Sequence, residues 1–303
     1  MTAIDLDNRV AVVTGSGRGL GREYALKLAE AGAAVIVNDV DGDAAQTVVD
    51  EIILHGGRAK AVVAAVGPEE TADELVATAL SSFGRLDVMV TNAGVLRDKV
   101  LWKMTAADFD LVVSTHLRGT FTCGKAAAIA MKEQGSGGRL ILIGSPAGQF
   151  GSFGQTNYAA AKAGIVAMAR TWSLELARAG ITANAVIPTA MTAMTGTIPA
   201  YADLYTAFQA GTPIPRGVRR DHALGGPEDV AGLIVWLASE DSADVTGQAI
   251  GIGGDKFSLY SHSEVIVEAF HDEGWTAADI GQAWREQFAS HSQPSGAVMK
   301  PVE

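Results

Sequence analysis

The chain has 303 residues, 48% hydrophobic and 19% charged, which supplies the core of one large α/β domain rather than two small ones. Its net charge of −11 argues against a nucleic-acid surface, and its single cysteine, Cys123, excludes an intramolecular disulfide. No run of about 18 apolar residues is present to span a membrane, and Met1 to Asp7 carry neither the basic region nor the apolar stretch of a secretory signal, so a reducing, cytoplasmic setting is expected.

Val10 to Thr14 is a short apolar run ending in glycines, the pattern of a buried parallel strand. Gly15-Ser16-Gly17-Arg18-Gly19-Leu20-Gly21 follows; Leu20 breaks the Gly-x-Gly-x-x-Gly fingerprint, but Gly15, Gly19 and Gly21 fit a Gly-x-x-x-Gly-x-Gly variant. A helix from about Leu20 to Ala31 aims its first N–H groups and positive dipole end at a pyrophosphate. Ala34 to Asn38 predicts the second strand, closed by Asp39, 20 residues beyond Gly19. A carboxylate there hydrogen-bonds the adenine ribose hydroxyls and repels a 2′-phosphate, which favours NAD over NADP. Arg18 pulls the other way, but the Asp39 charge sits on the ribose edge and is expected to decide. Asp43 to His55 reads as a helix, Ala61 to Val66 as the third strand with Val66 beside the adenine position, and Thr71 to Phe83 as a helix. Asp87 to Thr91 is the fourth strand, and its exit Asn92-Ala93-Gly94 suits backbone packed against a cofactor.

Helices are expected over 106–116 and 122–133, separated by a kink at Gly119. His116 has two open readings: it orients a water near Lys162, or it is a hydrogen-bonded core histidine. Arg139 to Ile143 predicts the fifth strand and delivers Ser145 at its carboxyl end, where open parallel sheets bind ligands. The helix from about Asn157 to Arg178 carries Tyr158 and Lys162, four apart with only alanines between them, so phenol and ammonium share a face. A lysine cation beside a phenol favours the phenolate, lowering a pKa that starts at about 10 and fitting Tyr158 for proton transfer near neutral pH. Ile181 to Ile187 is the sixth strand, stopped by Pro188.

From Thr189 to Gly226 the alternation lapses, as in a lid, with Met191 and Met194 as an adaptable wall. Arg216, Arg219 and Arg220 read either as phosphate partners or as solvated charge. Glu228 to Ala238 predicts a helix and Gln248 to Ile252 the seventh strand. A capped helix from Thr276 to Phe288 belongs to a C-terminal helical extension of about 255–289, and 290–303 reads as a flexible tail on a single domain of 1–289. The six histidines show no metal-ligand spacing, so no metal is expected.

Thr14-Gly15-x-x-x-Gly19-x-Gly21, Asn92-Ala93-Gly94, and Ser145, Tyr158 and Lys162 at these spacings resemble the short-chain dehydrogenase/reductase family over roughly residues 6–252. The resemblance implies a Rossmann-type, doubly wound parallel α/β sheet of seven strands, assembled as homodimers or homotetramers through the long helices. It implies NAD bound by the glycine loop, Asp39, Val66, Asn92, Ala93, Gly94, Tyr158, Lys162 and Pro188. It also implies Tyr158 as general acid/base, Lys162 as the nicotinamide-ribose ligand that lowers the tyrosine pKa, and Ser145 as the holder of the substrate oxygen. Three positions depart from the family pattern: Thr91 where asparagine is frequent, Ala65 where aspartate is common, and His116 where the catalytic-site asparagine usually stands.

The runs Val37-Asn38-Asp39, Leu96-Arg97-Asp98, His116 to Phe121 and Phe153 to Tyr158 look more narrowly like the (3R)-hydroxyacyl-CoA dehydrogenase units of type-2 peroxisomal multifunctional enzymes, also described as hydroxysteroid dehydrogenases. No hydratase part and no peroxisomal signal are expected, since the sequence shows Pro301-Val302-Glu303 at its end, and a free-standing bacterial-type relative is the reading. The resemblance implies an NAD-dependent enzyme interconverting a secondary alcohol and a ketone on a lipid-like substrate, with (3R)-hydroxyacyl-CoA preferred and a hydroxysteroid as the alternative. A reading from another class is a regulator that binds NAD(H) without turnover.

Overall fold

A computed structural model of the chain describes residues 4–296. Five strands, β1 (Val10–Thr14), β2 (Ala34–Asp39), β4 (Val88–Thr91), β5 (Gly138–Ile143) and β6 (Ile181–Pro188), are buried along nearly their whole length. That is the fate of continuous Val, Ile, Leu and Ala runs when helices cover both faces of a parallel sheet. β3 (Arg58–Val63) is an edge strand that alternates exposed and covered residues. It starts earlier than the expected 61–66, because Arg58 and Lys60 are admitted at a sheet edge that apolar runs do not mark.

The strand order is β3-β2-β1-β4-β5-β6-β7-β8, where β7 is Ala249–Gly253 and β8 is Lys256–Tyr260. The sheet therefore has eight strands, not the seven that the family resemblance implied. The additional strand runs antiparallel to β7, with Gly253 opposite Lys256 and Ala249 opposite Tyr260, across the two-residue turn Gly254–Asp255. Gly254 has φ +48°, which a side chain rarely adopts. The other neighbouring pairs are parallel.

On one face lie α1 (Gly19–Glu30), α2 (Gly42–Leu54) and α10 (Glu228–Ala238), sharing one apolar cluster that includes Tyr24, Leu28, Val48, Ile52, Val230 and Ile234. On the other lie α3 (Glu69–Phe83), α5 (Gly119–Gln134) and α7 (Thr156–Glu175), with Leu75, Cys123, Met131 and Ile165 in the second cluster. Each such fully buried aliphatic side chain contributes about 1.5–3 kcal/mol by area, so the two layers carry the sheet.

α4 (Ala106–Val113) begins in a capping box, Thr105 with Asp108, and runs into α5 through a π-type turn, Ser114–Arg118. The expected kink at Gly119 is thus a widened turn one residue earlier. A Cβ at Gly119 would stand 2.8 Å from Val66, so the glycine serves close approach of α5 to the β3 exit. Residues 189–226 hold α8 (Ala202–Gln209) and α9 (Arg216–Asp221) around a small core of Met191, Tyr201, Val218 and Leu224. α11 (Ala277–Ala283) starts at the expected box of Thr276 and Asp279. Residues 297–303 of the predicted tail lie outside the described residues. No helix among the described residues is long and apolar enough to cross a membrane.

Candidate active site

The strand order reverses between β1 and β4, and the loops leaving these two carboxyl ends part there to form a crevice. Thr14 and Asn92 tie the two loops together. Thr14 Oγ1 accepts from Asn92 N at 2.9 Å and Ala93 N at 3.0 Å, and Asn92 Nδ2 donates to Thr14 O at 2.9 Å and Gly15 O at 3.0 Å. The Asn92 side chain is therefore a clamp on the glycine loop.

Gly15 has φ +62° and Gly19 φ +56°, and a Cβ at Gly21 would lie 2.2 Å from Gly15 O. Only glycine permits this turn and this approach of α1 to the loop. Arg18 is the residue before α1 and gives it no side-chain cap; its guanidinium pairs instead with Asp41 at 2.7 Å. The first N–H groups of α1 take no side-chain cap, and Gly19, Leu20 and Gly21 line the crevice, which fits a pyrophosphate. Asp39 is buried at the end of β2, where its Oδ2 accepts from Gly17 N at 2.9 Å and its Oδ1 from Asp41 N at 3.1 Å. Its carboxylate still borders the crevice, as do Gly15, Leu20, Gly21, Val66, Ala93 and Pro188. Ser16 and Gly17 do not; Ser16 is fully buried and donates to Val13 O at 2.7 Å, shaping the loop from behind.

Ser145 leaves the end of β5 and caps α6 (Pro146–Phe150), accepting from Ala147 N at 3.2 Å. Gly148 lets α6 lie against α7, since a Cβ there would stand 2.6 Å from the Lys162 backbone. Tyr158 and Lys162 are both buried on one face of α7, with Nζ above the phenol ring at 5.6 Å from its centroid. Nζ donates to Ile143 O at 2.6 Å. Burial pulls the Lys162 ammonium down to about 7.

The expected depression of the Tyr158 pKa does not arise from these side chains. Burial raises the phenol, and a hydrogen bond with Ser145 opposes that. Lys162 is directed at the Ile143 carbonyl rather than at the hydroxyl, so its charge does not offset the desolvation.

His116 stands in the π-type turn with its ring edge-on to Tyr158, centroids 5.1 Å apart. Nε2 lies 3.0 Å from Val95 N and 2.9 Å from Val95 O, so one tautomer accepts the N–H and the other donates to the carbonyl. Nδ1 is buried with no hydrogen-bond partner among the described residues. Burial, and then the Lys162 charge, hold the imidazole down to about 3, so it is neutral at physiological pH. The two readings of His116 meet here: the ring is a buried, hydrogen-bonded group, and one of its nitrogens remains open beside Tyr158 and Lys162. Gly94 makes room for it, because a Cβ there would be 2.1 Å from the ring.

Both halves open into one cavity of about 1850 Å³, which runs from the glycine loop past Ser145, Tyr158 and Lys162 and under the 189–226 segment. Met191 and Met194 line it as expected. Arg216, Arg219 and Arg220 do not, and Arg219 is spent on Asp229, at 2.9 and 3.0 Å, and on Asp255 at 2.8 Å. Sequence reading missed the far wall, built by Phe150 with Tyr260 of β8, ring centroids 6.0 Å apart, and by Gln293, Pro294 and Gly296. Gly296 N donates to Phe150 O at 2.7 Å. The signal available for Tyr260 was the period-two alternation from Lys256 to Tyr260; for 293–296 there was none. Among the described residues no cluster of His, Cys, Asp and Glu fits a metal ion.

The family model for short chain dehydrogenases matches residues 9–201. The chain is 39% identical over 84% of its length to a (2S)-[(R)-hydroxy(phenyl)methyl]succinyl-CoA dehydrogenase subunit of Thauera aromatica, covering 99% of that protein. It is 38% identical over 94% of its length to a hydroxyacyl-CoA dehydrogenase of Mycobacterium tuberculosis, covering 90% of it. Against the peroxisomal multifunctional enzyme type 2 of Drosophila melanogaster it is 46% identical over 62% of its length, but spans only 32% of that longer protein. With the strand order, the glycine crevice and the Ser145–Tyr158–Lys162 face in place, these matches lead to one conclusion: the chain belongs to the short-chain dehydrogenase/reductase family and is an NAD(P)-dependent oxidoreductase acting on a CH–OH or C=O group.

Proposed function

We propose that the protein interconverts a (3R)-hydroxyacyl thioester of coenzyme A and the 3-ketoacyl thioester, using NAD, with Tyr158 as general acid/base. The observation that carries this reading is the single cavity in which the glycine crevice is continuous with Ser145, Tyr158 and Lys162 beneath an apolar lid. The preference for a CoA ester rests on the relatives from Thauera and Mycobacterium, both named as dehydrogenases of CoA esters, and on the likeness to the multifunctional enzymes.

Gly15, Gly19, Gly21, Asp39, Asn92, Ala93, Gly94 and Pro188 are proposed to hold NAD, with Ser16, Gly17, Arg18, Leu20 and Val66 shaping its bed, and the nucleotide would supply the hydride acceptor for the carbinol carbon. Ser145 fixes the substrate oxygen by hydrogen bond. Tyr158 takes the hydroxyl proton in oxidation and returns it in reduction. Lys162 reaches the nicotinamide ribose and, once ionised beside the phenol, eases its deprotonation. His116 stays neutral and offers Nδ1 as a fixed polar contact for the proton's path. Assay of a 3-hydroxyacyl-CoA against a steroid alcohol decides the substrate; no CoA-ester turnover in either direction removes this reading.

Asp39 is the proposed ground for choosing NAD. Asp39→Ala is expected to raise the ratio of kcat/KM with NADP to that with NAD by about five- to thirtyfold, since one repulsive charge pair at the ribose edge is worth about 1–2 kcal/mol. An unchanged ratio assigns the choice elsewhere. Phe109 and Leu111 on α4 and Phe121 and Ile129 on α5 are apolar and exposed, which supports a homodimer or homotetramer built on these helices. Sedimentation is expected to give two or four times the 31.3 kDa of one chain; a monomer at micromolar concentration rejects the assembly. Cytoplasmic location belongs to the same reading.

A further inference from the structure

A coenzyme A ester brings a cluster of phosphates to the cavity mouth, and a protein of net charge −11 must meet them with a local cation. Of the lysines and arginines that line the cavity, Arg18 is paired with Asp41 on the cofactor side, and Lys162 is buried against Ile143 O. Arg219 of the lid is neutralised by Asp229 and Asp255. Lys256, the first residue of β8, lines the cavity, is exposed, and has no ion pair among the described residues.

Its position is fixed by its neighbours. Asp255 N donates to Arg219 O at 3.2 Å and the Asp255 carboxylate accepts from Arg219 Nε at 2.8 Å, so the turn before Lys256 is bolted to α9 of the lid. A Cβ at Gly254 would stand 2.5 Å from Arg219 O, which shows how closely turn and lid are packed. Opposite, Lys256 pairs with Gly253 in the ladder. Along β8, Lys256, Ser258 and Tyr260 share a sheet face, and all three line the cavity: a cation, a hydroxyl and an aromatic ring, in order away from the lid-bound turn.

We propose that Lys256 is the anion subsite of the substrate cavity, binding the phosphates of coenzyme A while Ser258 and Tyr260 flank the thioester arm. This rests on the reading of the substrate as a CoA ester and names the residue that recognises its charged end. Two thioesters of one 3-ketoacyl group test it, one on coenzyme A and one on N-acetylcysteamine, which lacks phosphates. Lys256→Glu is expected to lower kcat/KM for the CoA ester at least about tenfold, chiefly through KM, a change of about 1.4 kcal/mol. The N-acetylcysteamine ester and NADH are expected to keep their KM within about twofold, Lys256→Arg to restore most of the loss, and added salt to weaken the CoA advantage of the native protein.

Equal loss on both esters, or none on either, overturns the subsite. Titration of free coenzyme A into the NAD-loaded protein separates the two ideas. Binding that Lys256→Glu weakens supports the subsite even if the acyl group was misjudged. Binding that Lys256→Glu leaves unchanged, or no binding at all, refutes it whatever the esters do, and turnover of the N-acetylcysteamine ester alone then keeps the thioester chemistry without the phosphates.

Discussion

Tyr158→Phe is expected to lower kcat in both directions by roughly 10³-fold, within the span that a positioned acid/base contributes, while leaving NADH binding unchanged. Only the hydroxyl is lost. The ring keeps its place edge-on to His116 at 5.1 Å and under Lys162, so the cavity shape is retained. The hydroxyl is buried and hydrogen-bonded with Ser145, so its removal is expected to cost stability no more than that one bond, about 0.5–1.5 kcal/mol, and the fold is kept. Stopped-flow or steady-state rates with NADH titration by fluorescence separate the two effects. A variant within about tenfold of the native rate would transfer the proton chemistry to another group, and Ser145 would be the first to examine, because it shares the hydrogen bond with Tyr158.

The parts of this molecule that could be read from sequence are those in which local pattern and tertiary environment demand the same residues. β1, β2, β4, β5 and β6 are apolar runs because both faces are covered, and the glycines at 15, 19 and 21 stand where φ or contact excludes a side chain. The placement of Ser145 at a strand exit and of Tyr158 and Lys162 on one helix face was legible because an alanine-filled helical turn and a strand end are both local signals. What failed was long-range. β8 is amphipathic and lies among exposed residues, so it falls inside the helical extension expected over about 255–289 and is a strand only because β7 gives it a partner. Arg219 stood open between a phosphate ligand and solvated charge, and the spacing could not show that Asp229 and Asp255, ten and 36 residues away, take it up instead. The widened turn at Ser114–Arg118 has no signature in a helical sequence, yet it sets His116 beside Tyr158. The tyrosine pKa failed for an energetic reason: proximity of an ammonium was inferred correctly, but the burial cost of the phenol and the engagement of Nζ by a carbonyl were invisible in the spacing.

Lys162→Met is expected to cost roughly 10²-fold or more in kcat and to raise the KM for NAD, because the proposed ribose contact and the buried cation beside the phenol go together. The same substitution has a signature in stability that does not depend on turnover. In the cofactor-free protein the Lys162 amine titrates at about 7 when folded, against 10.5 for the ordinary group, because burial disfavours its charge. Between these values the unfolded chain binds a proton that the folded chain does not, so this residue makes stability rise with pH across that window. Below about 7 both states are protonated and the full burial penalty stands; above 10.5 both are neutral and the penalty is gone. Methionine carries no such proton. The melting temperature of Lys162→Met relative to native protein is therefore expected to be highest near or below pH 7 and to fall steadily toward pH 10. Loss of the hydrogen bond to Ile143 O shifts the whole curve down without changing its slope. A difference that stays flat over that range would mean that the ammonium is solvated or paired in the folded state, and the buried cation that supports Tyr158 in the proposed chemistry would have to be sought among other groups.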